Sequence, residues 1–282
     1  MTTASPMATA ISSDGRAARP IHEPGPVDLL RGEWTKIRSV RSTTWSLLAM
    51  AAASLGLTII ATSLYTARWS SLDASSRAQF RSDTIGLIFQ PASSFGQVAV
   101  CVLGVLFIAS EYSTGMIRSS MLAAPRRTPV LAAKAVVFAG LTFVVAELVA
   151  LPCFFIGSAI TGKYASTSIT DLTDLRAVVG FGVFMSLTGL IALAVGTLVR
   201  NPAGGISLIL ALQFVVPAVL SLIPGSLGEH LSGAMPANTN VILGSGHDAE
   251  SVFSPAQGLA LLLAWTVVLM AGAWVSIKRR DV

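Results

Sequence analysis

Six runs of about 20 apolar residues, each long enough to cross about 30 Å of hydrocarbon as a helix, constrain this chain more than any other feature. They lie near 45–65, 85–109, 130–156, 177–199, 203–223 and 256–276. The second is interrupted in its first half by Gln90, Pro91, Ser93 and Ser94. The fourth and fifth are separated only by Arg200-Asn201-Pro202. Asn201 as helix cap and Pro202 as first helical residue divide them into a tight hairpin, and Ser254-Pro255 repeats the device before the sixth. The expected fold is an all-α polytopic membrane protein with six transmembrane helices.

Composition agrees. Of the residues, 53% are hydrophobic and 12% charged, whereas a soluble domain carries about a quarter charged. Mean hydropathy is +0.71. The net charge of +5 and pI near 9.7 would suit nucleic acid only if the bases clustered on a folded face. Here they sit at the ends of apolar runs, so the lipid bilayer is the expected partner and nucleic acid is not. On alternating sides of the membrane the lysines and arginines divide unequally. One side holds 14 of the 19, from Arg16 to Arg41, Arg118 to Lys134, Arg200, and Lys278 to Arg280. This predicts a multi-pass protein of the plasma (inner) membrane with both termini cytoplasmic. Arg68, Arg77 and Arg81 are a local dissent on the outer side, with Asp73 and Asp83 among them.

Residues 1–27, rich in Ser, Thr, Ala and Pro, read as a disordered cytoplasmic tail without the hydrophobic region of a signal peptide. Residues 28–43 read as an interfacial amphipathic helix: Leu30, Trp34 and Ile37 recur at helical spacing among Arg31, Glu33, Lys36 and Arg38. A charged flank that only fixes topology is the alternative. Residues 44–282 form the transmembrane domain.

The longest polar interruption on the inner side runs from Glu111 and Tyr112 to Arg126 and Arg127. Gly115 permits a sharp turn. Ile117, Met121 and Leu122 would then share one side of a short helix, with Arg118 at its edge. Pro125 stops that helix, and Thr128-Pro129 opens the next. The outer segment 224–255, rich in Gly and Pro, reads equally as a re-entrant piece or an ordinary loop.

Little else carries chemistry. The only Gly-Lys pair, Gly162-Lys163, is followed by Tyr164, so no Walker A loop is present. No His, Cys and carboxylate pattern has metal-ligand spacing, nothing resembles a nucleophile elbow, and Cys101 and Cys153 read as small apolar residues. Glu147 is a carboxylate inside a span, costing about 2.5–3.5 kcal/mol there unless protonated or paired. It lines a substrate path, joins helices at a dimer seam, or is hydrated near the surface. Gln97 and Gln213 pose the same question, since amides also serve helix packing.

Asp28 through Lys36 ahead of the first span, Glu111-Tyr112-Ser113-Thr114-Gly115-Met116-Ile117-Arg118 after the second, and Ala124-Pro125-Arg126-Arg127 beyond together resemble the permease subunits of ABC-2 type transporters. Met116 stands where that family more usually has Thr. The resemblance implies an exporter, with a second permease copy or similar chain and a cytoplasmic ATP-binding cassette subunit that carries ATP and Mg. This chain itself would bind no cofactor or metal and would not be an enzyme. The loop helix from Gly115 to Ala124 would be the coupling helix seated on the ATPase. The alternatives are a proton-coupled secondary transporter in which Glu147 titrates, and a membrane anchor or scaffold that transports nothing.

Overall fold

The computed structural model describes residues 25–39, 41–116, 127–243 and 252–279, which are mostly helical with no strand among them. The helices are α1 (Pro26–Ser39), α2 (Arg41–Ala67), α3 (Ala74–Ser82), α4 (Thr84–Ser113), α5 (Arg127–Thr161) and α6 (Leu172–Val199), then α7 (Pro202–Leu220), α8 (Ser226–Gly233) and α9 (Pro255–Arg279). Short 3-10 turns cover Trp69–Ser71 and Pro236–Leu243. Six helices, α2, α4, α5, α6, α7 and α9, are long and apolar enough to cross a membrane. The chain is an all-α multi-pass membrane protein.

Chain punctuation sets the helix ends. The Asn201 side chain accepts from the Gly204 N–H at 2.9 Å, with Pro202 following as the first helical residue. Before α9, Ser254 and Gln257 exchange side-chain and backbone hydrogen bonds as a capping box. Gly115, at φ +73°, follows the end of α4. The sequence marks a break at Gln90-Pro91-Ser93-Ser94, yet α4 runs through it unbroken. The hydroxyls of Ser93 and Ser94 turn back onto the Gln90 carbonyl at 2.9 and 2.8 Å, so these polar side chains are satisfied within the helix.

Helices α4 and α6 form the centre: 61% and 78% of their spanning windows are buried, against 22–33% in the other four. Their approach depends on glycine. Gly189 and Gly196 lie seven residues apart along α6, on the side that meets α4. A Cβ at Gly104 of α4 would stand 2.7 Å from the Gly189 carbonyl, and one at Gly196 would stand 3.1 Å from the Val105 backbone. Between helices in lipid, where hydrophobic attraction is absent, such backbone proximity supplies van der Waals contact. On the other side of α4, Ser54 and Thr58 of α2 donate to the Ala92 and Ile88 carbonyls, each at 3.0 Å.

The segment Pro236–Leu243 packs against α6 and α9, with Thr239 and Leu243 buried. Just before it, the Ala234 carbonyl accepts from Trp265 Nε1 at 2.9 Å. Trp265 is ten residues, or about 15 Å, along α9, so the chain at Ala234 packs against α9 well past that helix's first turn.

Gly104→Val drives a branched side chain into the Gly189 carbonyl and is expected to destabilise the bundle by about 1–3 kcal/mol. Gly272→Val, where a Cβ meets nothing within 4 Å, is the matched control. Thermal unfolding in detergent compares them, and equal unfolding temperatures would show that the α4–α6 seam has slack.

Candidate functional site

The end of the bundle that carries α1 holds the densest charge cluster among the described residues. Along α4 the buried positions Gly104, Ile108 and Glu111 follow one another at helical spacing, and along α5 so do Leu131, Lys134 and Phe138. Glu111 and Lys134 therefore occupy places that would ordinarily be apolar. Helix α1 lies against α5 and presents Glu33 and Ile37 to it as buried side chains.

Four charges close a ring. Lys134 Nζ donates to Glu33 Oε2 at 2.6 Å and to Glu111 Oε1 at 2.8 Å. Lys36 Nζ donates to Glu33 Oε1 at 2.8 Å and to Glu111 Oε1 at 3.3 Å. The ammonium of Lys134, whose side chain is 1% exposed, also lies 4.3 Å from the centroid of the Phe107 ring. Its donors thus meet two carboxylates and a π-face. The ring has no net charge, and its three most buried members come from α1, α4 and α5.

Burial alone would push the Glu33 carboxyl up, but the Lys134 ammonium, and then Lys36, outweigh it and hold Glu33 below the usual carboxylate range. Burial likewise pulls Lys36 down, while Glu33 and Glu111 more than restore it, leaving Lys36 above its ordinary value. Glu111 Oε2 is buried with no hydrogen-bond partner among the described residues. Beside the ring is a cavity of about 180 Å³ lined by Lys36, Ile37, Thr43, Phe107, Ser110 and Glu111, among others.

A second tie crosses the same end. Arg200 closes α6 in the left-handed conformation at φ 58°. Its guanidinium sits 5.1 Å from the Tyr112 ring centroid, and Nη2 donates to the Ser276 carbonyl at 3.3 Å. The ends of α4, α6 and α9 are held together by this one side chain.

Of the residues singled out by sequence, Glu111 is turned into the bundle, Tyr112 lies under Arg200, and Gly115 makes the turn. Ile117, Arg118, Met121, Leu122, Pro125 and Arg126 lie outside the described residues, and Arg127 opens α5. On α1, Leu30 and Lys36 are half-buried and Arg31, Trp34 and Arg38 exposed, so the inward edge runs through Leu30, Glu33 and Ile37 with Trp34 at its flank. Gln97 and Gln213 are buried, and Gln213 Nε2 reaches Cys101 Sγ at 3.8 Å, one turn along α4 from Gln97. Glu147 is elsewhere, packed against the Gly182 backbone on α6 in space that any side chain there would fill. One oxygen of each of these three side chains is buried without a hydrogen-bond partner among the described residues.

Sequence reasoning counts Lys134 only as a flanking positive charge. The available signal is a lysine between Leu131 and Phe138 on one apolar stripe. No group of three or more His, Cys, Asp or Glu among the described residues could hold a metal. No family model matches the chain, and no curated protein matches it.

Replacing Lys134 by Met strands two buried carboxylates and is expected to cost about 3–5 kcal/mol. In the wild type, a Glu33 held low when folded stabilises the fold above its unfolded value of about 4, and that contribution is lost as acid takes the pH through the folded value. Lys36, held high, contributes below about pH 10 and loses its share as pH rises through its folded value. Unfolding temperature in detergent across pH checks both limits. A Lys134→Met protein as stable as wild type would refute the ring's structural role.

Proposed function

We propose that the chain is the membrane-spanning subunit of an ABC-2 type ATP-driven transporter. It is an exporter of the plasma (inner) membrane with both termini cytoplasmic, working as a homodimer or with a similar chain. The observation that carries this reading is the closed ring of Glu33, Lys134, Glu111 and Lys36, because it joins the segment ahead of the first span to the one after the second, both of which carry the family resemblance.

The consequence is mechanical. The segment of sequence from Ile117 to Arg126 connects a helix fixed at Glu111 to one fixed at Lys134. A displacement of that segment is delivered to α1, α4 and α5 together, since pulling one out of register separates buried charges. A separate cytoplasmic ATP-binding cassette subunit supplies ATP and Mg. Ile117, Met121 and Leu122 provide its apolar contact and Arg118 a charge-assisted hydrogen bond. ATP binding there shifts the bundle between inward- and outward-facing states to the extent that the ATPase prefers one of them.

A second reading, a proton-driven carrier, is favoured by the carboxyl of Glu147, enclosed against α6 near the middle of α5. The two readings part on one purification. Extraction in mild detergent followed by mass spectrometry should recover a stoichiometric ATPase. Arg118→Glu should reduce that recovery about tenfold or more, the scale set by removing one charged group from an interface, without changing membrane abundance. Full recovery would remove Arg118 from the interface. If no ATPase accompanies even the wild type, while a known transporter of this class keeps its own, the carrier reading replaces the first. Glu147→Gln should then abolish pH-driven uptake into vesicles.

A further inference from the structure

The far end of the bundle, opposite the charge ring, carries a second concentration of charge that the transport reading does not use. Trp69, in the turn after α2, stacks on Tyr164, beyond the end of α5, with ring centroids 4.3 Å apart. Phe80 of α3 meets Trp69 edge-on at 5.2 Å and Tyr65 face-on at 5.7 Å. Three cations flank this aromatic group. The guanidiniums of Arg77 and Arg81 lie 5.7 and 5.5 Å from the Trp69 ring, and the Lys163 ammonium lies 5.7 Å from the Tyr164 ring.

Their state of pairing distinguishes them from the charges of the ring. Arg77 is committed in part, donating to the Trp69 and Ser70 carbonyls at 3.1 Å each. Arg81 and Lys163 are exposed, and neither forms a salt bridge or side-chain hydrogen bond among the described residues. The acids interspersed with them in sequence are engaged in capping. Asp73 accepts from Ser76 N and Ser75 Oγ at 3.0 and 2.7 Å, bonds that hold its carboxyl down at about 2. Asp83 accepts from Gly86 N at 3.1 Å at the start of α4.

Two chemistries coincide here. Trp and Tyr favour the headgroup level, where an apolar ring body and a polar edge are both accommodated. Within about two turns of the same end, α2 exposes Ile60 and Leu64 and α5 exposes Phe155, surfaces suited to acyl chains. Uncommitted guanidinium and ammonium donors at that level match a phosphate diester.

We propose that Arg77, Arg81 and Lys163, arranged around the Trp69–Tyr164 stack, form a binding site for the phosphate of an anionic phospholipid in the leaflet at this end. The site depends on the chain spanning the bilayer and not on ATP coupling. Arg77 is anchored to the backbone and fixes the position of the cluster. Arg81 and Lys163 supply the free donors, and the aromatic stack fills the space between headgroup and glycerol.

Native mass spectrometry of the purified full chain, titrated with equal phosphatidylglycerol and phosphatidylcholine, tests this. The wild type should retain phosphatidylglycerol preferentially. In the Arg81→Gln/Lys163→Gln variant the apparent affinity for it should fall about tenfold or more, as expected when two interfacial cations are neutralised. Lys278→Gln, at the opposite end, should leave it unchanged, and unfolding temperature should be the same in all three. Undiminished phosphatidylglycerol retention by the double variant would overturn the site. Displacement of the lipid by millimolar inorganic phosphate would overturn its assignment to a lipid headgroup and leave free phosphate as the ligand.

Discussion

A buried ammonium cannot be left unpaired at the edge of a bilayer, and Lys134 governs this structure for that reason. Its side chain is almost fully enclosed, so each carboxylate that touches it is held in place by the desolvation cost of letting go. Through Glu33 it fixes α1, adding to the packing of Ile37. Through Glu111 it fixes the end of α4, which is central to the bundle. Helix α5 is about 50 Å long over Pro129–Thr161, well beyond about 30 Å of hydrocarbon. The overshoot lets Lys134 lie near headgroup level, where the ring is less costly than at mid-membrane.

The centre of the bundle is held differently. There α4 and α6 meet through absent side chains, at Gly104, Gly189 and Gly196, and through hydroxyls of α2 bonded to carbonyls of α4. Packing of this kind is rigid because neither backbone can approach further. A stiff central pair and a charge-locked end suit a body that moves as a unit, which is the mechanical property the transport proposal requires.

Much of this is legible in the sequence, for physical reasons. Apolar runs declare themselves because a bilayer demands length, and Asn201-Pro202 and Ser254-Pro255 declare helix starts because capping is local. The ring is not legible as a ring: Glu33 and Lys134 are 101 residues apart, and no local rule pairs them. Glu111 reads as part of the polar loop because it follows the apolar run, although its place on the α4 stripe already turns it inward. Gln97, Gln213 and Glu147 look alike as polar residues within spans. Three dimensions place the first two near Cys101 and the third against Gly182, since helix rotation decides the neighbour and sequence depth does not.

Helix α7 shows how far such rotation can alter a face. Over Ala211–Val215 it widens into a π turn, in which the Val216 N–H reaches back five residues to the Ala211 carbonyl. Pro217, lacking an N–H, follows directly. The extra residue adds about 100° of rotation, so the half of α7 beyond it is turned relative to the half before. Gln213 and Pro217 face inward while Val215 and Val219 face out. The helix therefore behaves as two short rods sharing one axis with different azimuths, and a one-residue deletion in the π turn would rewrite which side chains the outer rod offers to lipid without touching its ends.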